Sequence, residues 1–167
     1  MTVRFKPRAV RAPSGVEWRI GRRWLGRGLP RWRKVRHLGL SEVSVWEIKA
    51  AQEVFDVATV QNLYNLTNRQ ADDVLDYCEP QGIGFIPWFP LAAGELAEPG
   101  GELAEIAAAH DATPGQVALA WLLVRSPVML PIPGTSSVEH LEENVAAAQL
   151  KLTVDELARL DKAGAGG

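Results

Sequence analysis

Leu130-Pro131-Ile132-Pro133-Gly134-Thr135-Ser136-Ser137, running on as Val138-Glu139-His140-Leu141-Glu142-Glu143-Asn144, is the stretch whose reading decides the fold. It reads as a buried strand that halts at a glycine and opens at once into a capped helix. Ser136 and Glu139 have capping-box spacing, which starts the helix at that serine. The first turn of a helix leaves backbone N–H groups unpaired and turns the positive end of its dipole toward the preceding loop. Gly134 would let a ligand approach the backbone there, and Thr135 and Ser136 add hydroxyls. The combination describes a seat for a phosphate and, equally, an ordinary strand–loop–helix junction.

Working outward, the same alternation repeats. Residues 35–41 read as a short strand, followed by a helix whose start at Ser44 is closed by Glu47. Residues 58–64 form a second strand, and 71–79 a helix ended by Pro80 and Gly82. Residues 83–90 make a third strand, with prolines suited to a strand end. A glycine-rich loop from Gly94 to Gly101 leads to a helix at 102–110. Thr113, Pro114 and Gln116 then start a helix apolar nearly all round. Residues 128–133 are the fourth strand, and the helix after it should bury Leu141, Val145 and Ala148. Thr153 and Glu156 cap the last helix, and the glycine-rich end from 164 to 167 should fray. Strands alternating with helices imply a parallel sheet, either an incomplete barrel or an open doubly wound sheet. No Gly-x-Gly-x-x-Gly follows the first strand, so a Rossmann dinucleotide site has no direct support. A phosphate seat after the final strand suits the barrel instead.

Composition divides the chain sharply. Residues 1–33 carry ten Lys and Arg against one acid, net +9, whereas residues 34–167 carry eight against nineteen, net −11. The basic leader interleaves Arg with Trp18, Trp24 and Trp32 and keeps no helical or strand period, so it is expected to be irregular. Basic residues beside tryptophans could bind nucleic acid, but the abrupt change at Lys34 favours a leader foreign to the rest, and nucleic acid is not expected as a partner. The single cysteine, Cys78, rules out an internal disulfide and suits a cytoplasmic location; its helical setting reads as a buried thiol. No apolar run reaches membrane-spanning length, so no membrane partner is expected.

Five ordered segments carry a resemblance. They are Lys34-Val35-Arg36-His37-Leu38-Gly39-Leu40-Ser41, Val60-Gln61-Asn62-Leu63-Tyr64-Asn65, Ile86-Pro87-Trp88-Phe89-Pro90-Leu91, Thr113-Pro114-Gly115-Gln116-Val117-Ala118-Leu119-Ala120-Trp121, and Pro131-Ile132-Pro133-Gly134-Thr135-Ser136 with Glu143-Asn144. Through them residues 34–163 resemble the C-terminal half of the aldo-keto reductases. The resemblance implies an α/β fold, a partial (β/α)8 TIM barrel of about four C-terminal βα units, with 1–33 as a non-matching leader and 164–167 as a tail. It implies NADP as cofactor, with NAD as the alternative, and a small carbonyl substrate reduced by hydride transfer.

By position, Ser41 and Gln61 would hold the nicotinamide carboxamide and Trp88 would stack on its ring. Phe89, Leu91 and Gly94 would lie beneath the pyrophosphate. Gly134, Thr135, Ser136 and His140 match the 2′-phosphate region, and Glu143 and Asn144 the grip on adenine. Glu42 stands where the family usually has asparagine, and Gly134 and His140 where many members have Lys or Arg, which weakens the fit to a dianionic phosphate. The family's catalytic Asp, Tyr, Lys and His lie on the first four strands, so no catalytic residue and no metal ligand is assigned. His37 lies toward the wrong mouth, Tyr64 lacks a lysine partner, and Tyr77 and His110 read as structural. A binding module without chemistry is the competing reading. Leu40, Val60, Phe85 and Leu130 are expected on an inward face without partners, so self-association through open barrel edges is expected too.

Overall fold

The computed structural model describes residues 36–91 and 99–165, so the basic leader and Gly94 lie outside the described residues. In chain order come β1 (Leu38–Ser41), α1 (Val45–Gln52), β2 (Val57–Leu63), α2 (Asp72–Gln81), β3 (Gly84–Trp88), α3 (Glu102–Ala109), α4 (Pro114–Arg125), α5 (Val138–Ala146), a 3₁₀ turn (Ala147–Gln149) and α6 (Val154–Gly164). Three of the helix starts are reciprocal capping boxes, Ser44 with Glu47, Thr113 with Gln116 and Thr153 with Glu156. Each hydroxyl takes a third-residue N–H while the glutamate or glutamine returns to the cap's own N–H, so two unpaired donors are satisfied at once. Pro80 sits inside α2 rather than ending it; Gly82, left-handed at φ 64°, makes the stop.

The three strands are parallel in the order β1-β2-β3. Their register sets out rows across the sheet. Leu40 pairs with Val60 and Val60 with Phe85, and all three are buried. They pack into the core with Ile48 of α1, Leu75 and Cys78 of α2, and Val117, Trp121 and Leu122 of α4. This corrects the expectation that Leu40, Val60 and Phe85 line the inward face, because the helices cover that side. The opposite, open face carries Gly39, Thr59 and Gly84 in one row and Ser41, Gln61 and Ile86 in the next. A Cβ on Gly39 would stand 2.3 Å from Thr59 Oγ1, and one on Gly84 2.9 Å from Leu130 Cδ1. Thr59 and Leu130 therefore lie down over glycines, and this end of the face is packed by side chains taking turns with bare backbone.

The fourth strand is shorter than its sequence suggests. It is one isolated bridge, Phe85 to Met129, made by Phe85 N–H to Val128 O and Leu130 N–H to Phe85 O, each at 2.8 Å. Pro87 is the next residue of β3 to face that side, and it has no N–H to continue the ladder. Pro131 in turn gives the outer side no donor, which blunts that edge. Leu130 is half exposed.

α4 is buried from Val117 to Leu122 as its sequence predicts. Its Trp121 ring stacks near-parallel on Tyr64 at 6.1 Å, and its indole N–H donates to Asp161 Oδ1 at 3.0 Å. α5 departs from expectation: it buries none of its residues, and Leu141 and Val145 are more than half exposed. The last helix runs through Gly164, one residue past the expected boundary, and Gly164 is buried against Leu66.

Candidate functional site

Parallel strands with helices behind them bring their C-terminal ends to one mouth. Ser41 and Gln61 are register partners there, half-buried on the open face, and Leu63 pairs with Trp88 one row further out. The sheet thus sets two polar side chains and a partly exposed indole side by side, although 20 and 27 residues of sequence separate them in turn. Phe89 follows in the left-handed region at φ 59°, 63% exposed, with its ring tilted against Trp88. Leu91 is exposed beyond it, near the N-terminus of α4.

Glu42 closes this mouth. Its backbone turns left-handed at φ 54°, and its N–H still donates to Gln61 O at 2.9 Å. The turn sends its carboxylate across the top of β2, where Oε1 accepts the Leu63 N–H at 2.9 Å and the indole N–H of Trp88. One carboxylate oxygen therefore ties the tips of three strands together. Sequence reasoning treated Glu42 only as a missing asparagine. It also gave no role to Asn62, whose buried amide takes the Val43 N–H at 3.1 Å and gives an N–H to Val43 O at 2.8 Å. Asn65, also buried, accepts from Thr67 and Asn68 and donates to Phe89 O at 3.2 Å, so it fixes the segment after Trp88. Two asparagines bracketing a strand end were the signal available for them.

The second group of expected residues lies at the start of α5. The helix begins one residue later than the sequence suggested: Ser137, not Ser136, is the cap, accepting the His140 N–H at 3.3 Å. Thr135 shifts it, because its hydroxyl accepts the Ser137 N–H at 3.0 Å and donates to Ser137 O at 3.3 Å. That internal turn leaves Ser136 exposed and outside the cap. Gly134 is open, with nothing within 4 Å of where a Cβ would stand. His140 is exposed, and Glu143 and Asn144 are half-buried. Gln116 anchors this helix, its amide N–H donating to Glu143 O at 3.0 Å, so the capping box of α4 also positions α5.

The two ends differ in chemistry. The strand tips fit a flat ring bearing an amide: polar neighbours at Ser41 and Gln61, an indole face beside them. The start of α5 fits a dianion less well. Between Gly134 and Ala146 there is no Lys or Arg, only His140, against Glu139, Glu142 and Glu143. Backbone and hydroxyl donors are what it offers. Gly94 lies outside the described residues. A separate cleft of about 340 Å³ opens on the far side of Glu42, between Ser44, Asn62, Asn68 and Asp73, and holds none of the expected residues.

Among the described residues at this mouth, none offers a ready proton. Tyr64 is fully buried and donates to Asp72 Oδ1 at 2.7 Å. Burial first, and that carboxylate second, push its hydroxyl well above the usual phenol range. Arg125 in turn pairs with Asp72 at 3.0 Å and Asp76 at 2.9 Å, so the group is a structural cluster. Tyr77 donates to Gln52 at 2.7 Å and His110 meets Glu156 at 2.8 Å. His37 is exposed ahead of β1. Among the described residues no three metal-ligating side chains converge, and no helix is long and apolar enough to cross a membrane.

Comparison with known proteins follows the same outline. The model of the Aldo/keto reductase family matches residues 34–165. An uncharacterized oxidoreductase of Schizosaccharomyces pombe is 56% identical over 130 residues, covering 78% of this chain and 42% of the relative. Pyridoxine 4-dehydrogenase of Escherichia coli is 46% identical over 127 residues, covering 76% of this chain and 44% of the relative. A crystal structure of an aldo/keto reductase from Klebsiella pneumoniae, in complex with NADP and acetate, superposes with a TM-score of 0.70 at 32% identity, over 76% of this chain and 47% of that one. The chain spans less than half the length of these curated relatives.

Proposed function

Because this chain belongs to the aldo/keto reductase family, we propose that it binds NADP(H) across the C-terminal ends of its strands, as half of a site for reducing a small carbonyl compound. The observation that carries this reading is the register that sets Ser41 beside Gln61, with Trp88 next to them and partly exposed. In the K. pneumoniae relative the bound nucleotide is NADP. The cofactor, when bound, supplies the hydride. Ser41 and Gln61 orient its carboxamide, Trp88 covers one ring face, and Phe89 and Leu91 shape the path away from the ring. Gly134, Thr135 and the turn they make receive the phosphate end, with His140 as the basic side chain among residues 134–146. Ser136, Glu143 and Asn144 border the adenine end. With so little positive charge at the start of α5, NAD(H) is the alternative cofactor.

The described residues bind and orient; they do not supply the acid. Tyr64, the tyrosine at this mouth, is spent on Asp72. The described residues by themselves would therefore bind the nucleotide without turning it over. Among the described residues no strand pairs with the outer edge of β1, which supports association with another copy or a complementary half, read as oligomer by sedimentation. Its single cysteine supports a cytoplasmic location.

The test is a fluorescence titration of the 167-residue chain with NADPH, repeated on Gln61→Ala and Trp88→Ala, alongside an aldehyde turnover assay. Binding that weakens in both variants, with no turnover, is expected. Undiminished binding in both variants would overturn the site, and steady aldehyde reduction would overturn the claim that the acid is missing.

A further inference from the structure

We propose that Glu42 biases this site toward the oxidised, positively charged form of the nicotinamide. The inference rests on the nucleotide reading above and concerns a residue to which that reading gives no contact. Three observations carry it. The carboxylate is fixed, since Oε1 accepts from both Leu63 N–H and the Trp88 indole N–H and so stands at the edge of that ring. The residue is exposed at the mouth, so its second oxygen is not consumed by packing. Its charge is uncompensated: among the described residues no Lys, Arg or His forms an ion pair with it.

A ring lying on the Trp88 face is held about 3.5–4 Å from the indole by contact distance. The carboxylate at the indole edge is then roughly 6 Å from that ring. The oxidised ring carries one positive charge and the reduced ring none, so the carboxylate attracts one form and is indifferent to the other. For an exposed site, with an effective dielectric between about 40 and 80, that attraction is about a three- to tenfold difference in affinity. An asparagine or glutamine at the same place keeps an acceptor for the indole and loses this difference. Glu42 thereby acts as a specificity-determining residue for the redox state of the ligand.

The test measures dissociation constants for NADP⁺ and NADPH by titration calorimetry on the wild-type chain and on Glu42→Gln. The ratio of the NADPH constant to the NADP⁺ constant should fall about three- to tenfold in the variant. An unchanged ratio, with both forms still bound, overturns the inference and leaves the nucleotide reading standing. Failure of the wild-type chain to bind either form overturns the nucleotide reading itself. Should Glu42→Gln unfold, the wild-type ratio is measured across a salt series. The phosphates are alike in both forms, so their screening cancels and only the ring's charge remains. The ratio should shrink as salt rises, and a salt-independent ratio overturns the inference.

Discussion

Replacing Gly164 by alanine sets two effects of opposite sign against each other. Gly164 belongs to the last turn of α6, where alanine gains up to about 1 kcal/mol over glycine in helix propensity. Against this, the new Cβ would stand 2.3 Å from the backbone oxygen of Leu66 and 2.7 Å from the Arg69 guanidinium. Arg69 can move, although it would disturb its 3.1 Å ion pair with Asp161. The Leu66 oxygen cannot move easily, because it is main chain and already accepts from Arg69 Nε at 3.0 Å. Relieving the overlap needs about 1 Å of backbone displacement in a close-packed interior, and overpacking of this kind costs about 1–3 kcal/mol. At the end of a helix the propensity gain is the smaller quantity, so Gly164→Ala should destabilise by about 1–2 kcal/mol. Gly115→Ala is the control. It too lies in a helix, but its Cβ would meet only Leu91 Cδ2 at 3.6 Å and Thr113 Oγ1 at 3.8 Å, ordinary contacts. That variant should stabilise by up to about 1 kcal/mol. Urea unfolding followed by far-UV circular dichroism, with the denaturant slope unchanged between proteins, gives both numbers. If Gly164→Ala moves the midpoint upward as Gly115→Ala does, the packing argument at Leu66 is wrong.

Three further perturbations test other parts of the molecule. Cys78 is fully buried, and burial pushes its thiol up to about 11, so labelling by a thiol reagent at neutral pH should wait on unfolding and accelerate with urea; immediate labelling of the folded chain would contradict this. The Glu156 carboxyl is held below its ordinary 4.5, first by the Thr153 N–H and then by the Thr153 hydroxyl and His110. A depressed folded value contributes stability that is present above the ordinary carboxylate range and fades as pH falls through it. Glu156→Gln should therefore flatten part of the acid limb of a stability–pH curve, and an acid limb identical to wild type counts against that. Tyr64→Phe removes a buried hydrogen bond but leaves Asp72 its Arg125 partner, so it should cost about 1–2 kcal/mol without changing nucleotide affinity. Loss of binding in that variant would mean Tyr64 belongs to the site after all.

Local signals were legible and tertiary ones were not. Ser44, Thr113 and Thr153 each announce their helix through a contact closed within three residues, so the sequence contains the whole interaction. The start of α5 misled by one position because Ser136 and Ser137 are both competent caps. Only the turn made by Thr135 decides between them. The burial of the sheet was harder: in a parallel sheet both faces are apolar, so alternation says that Leu40 and Ser41 point opposite ways but not which way the helices lie. Leu141 and Val145 mark a face that could be buried, yet amphipathic spacing expresses a preference and cannot provide the partner. The fourth strand shortened through a residue on a different strand, Pro87, which no inspection of 128–133 would reveal. At the candidate site, the roles given to Ser41, Gln61 and Trp88 came from family resemblance alone, and what the structure adds is the register that sets them side by side. Glu42 was not, because its role arises from a left-handed turn and a neighbour 46 residues away.

Asn62 reaches across where β1 has already ended and presents Val43 with the donor and acceptor that a further residue of strand would have given it. Its amide must face one way only, oxygen to the Val43 N–H and nitrogen to the Val43 carbonyl. That makes position 62 a place where shape and meaning come apart. Aspartate has nearly the same outline but would set one oxygen against another, and leucine has similar bulk but would leave both groups of Val43 unanswered. A saturation library read out by folding should thus tolerate fewer substitutions at this small polar residue than at many larger hydrophobic ones. The join between strand and helix is spelled by one side chain, and it admits few synonyms.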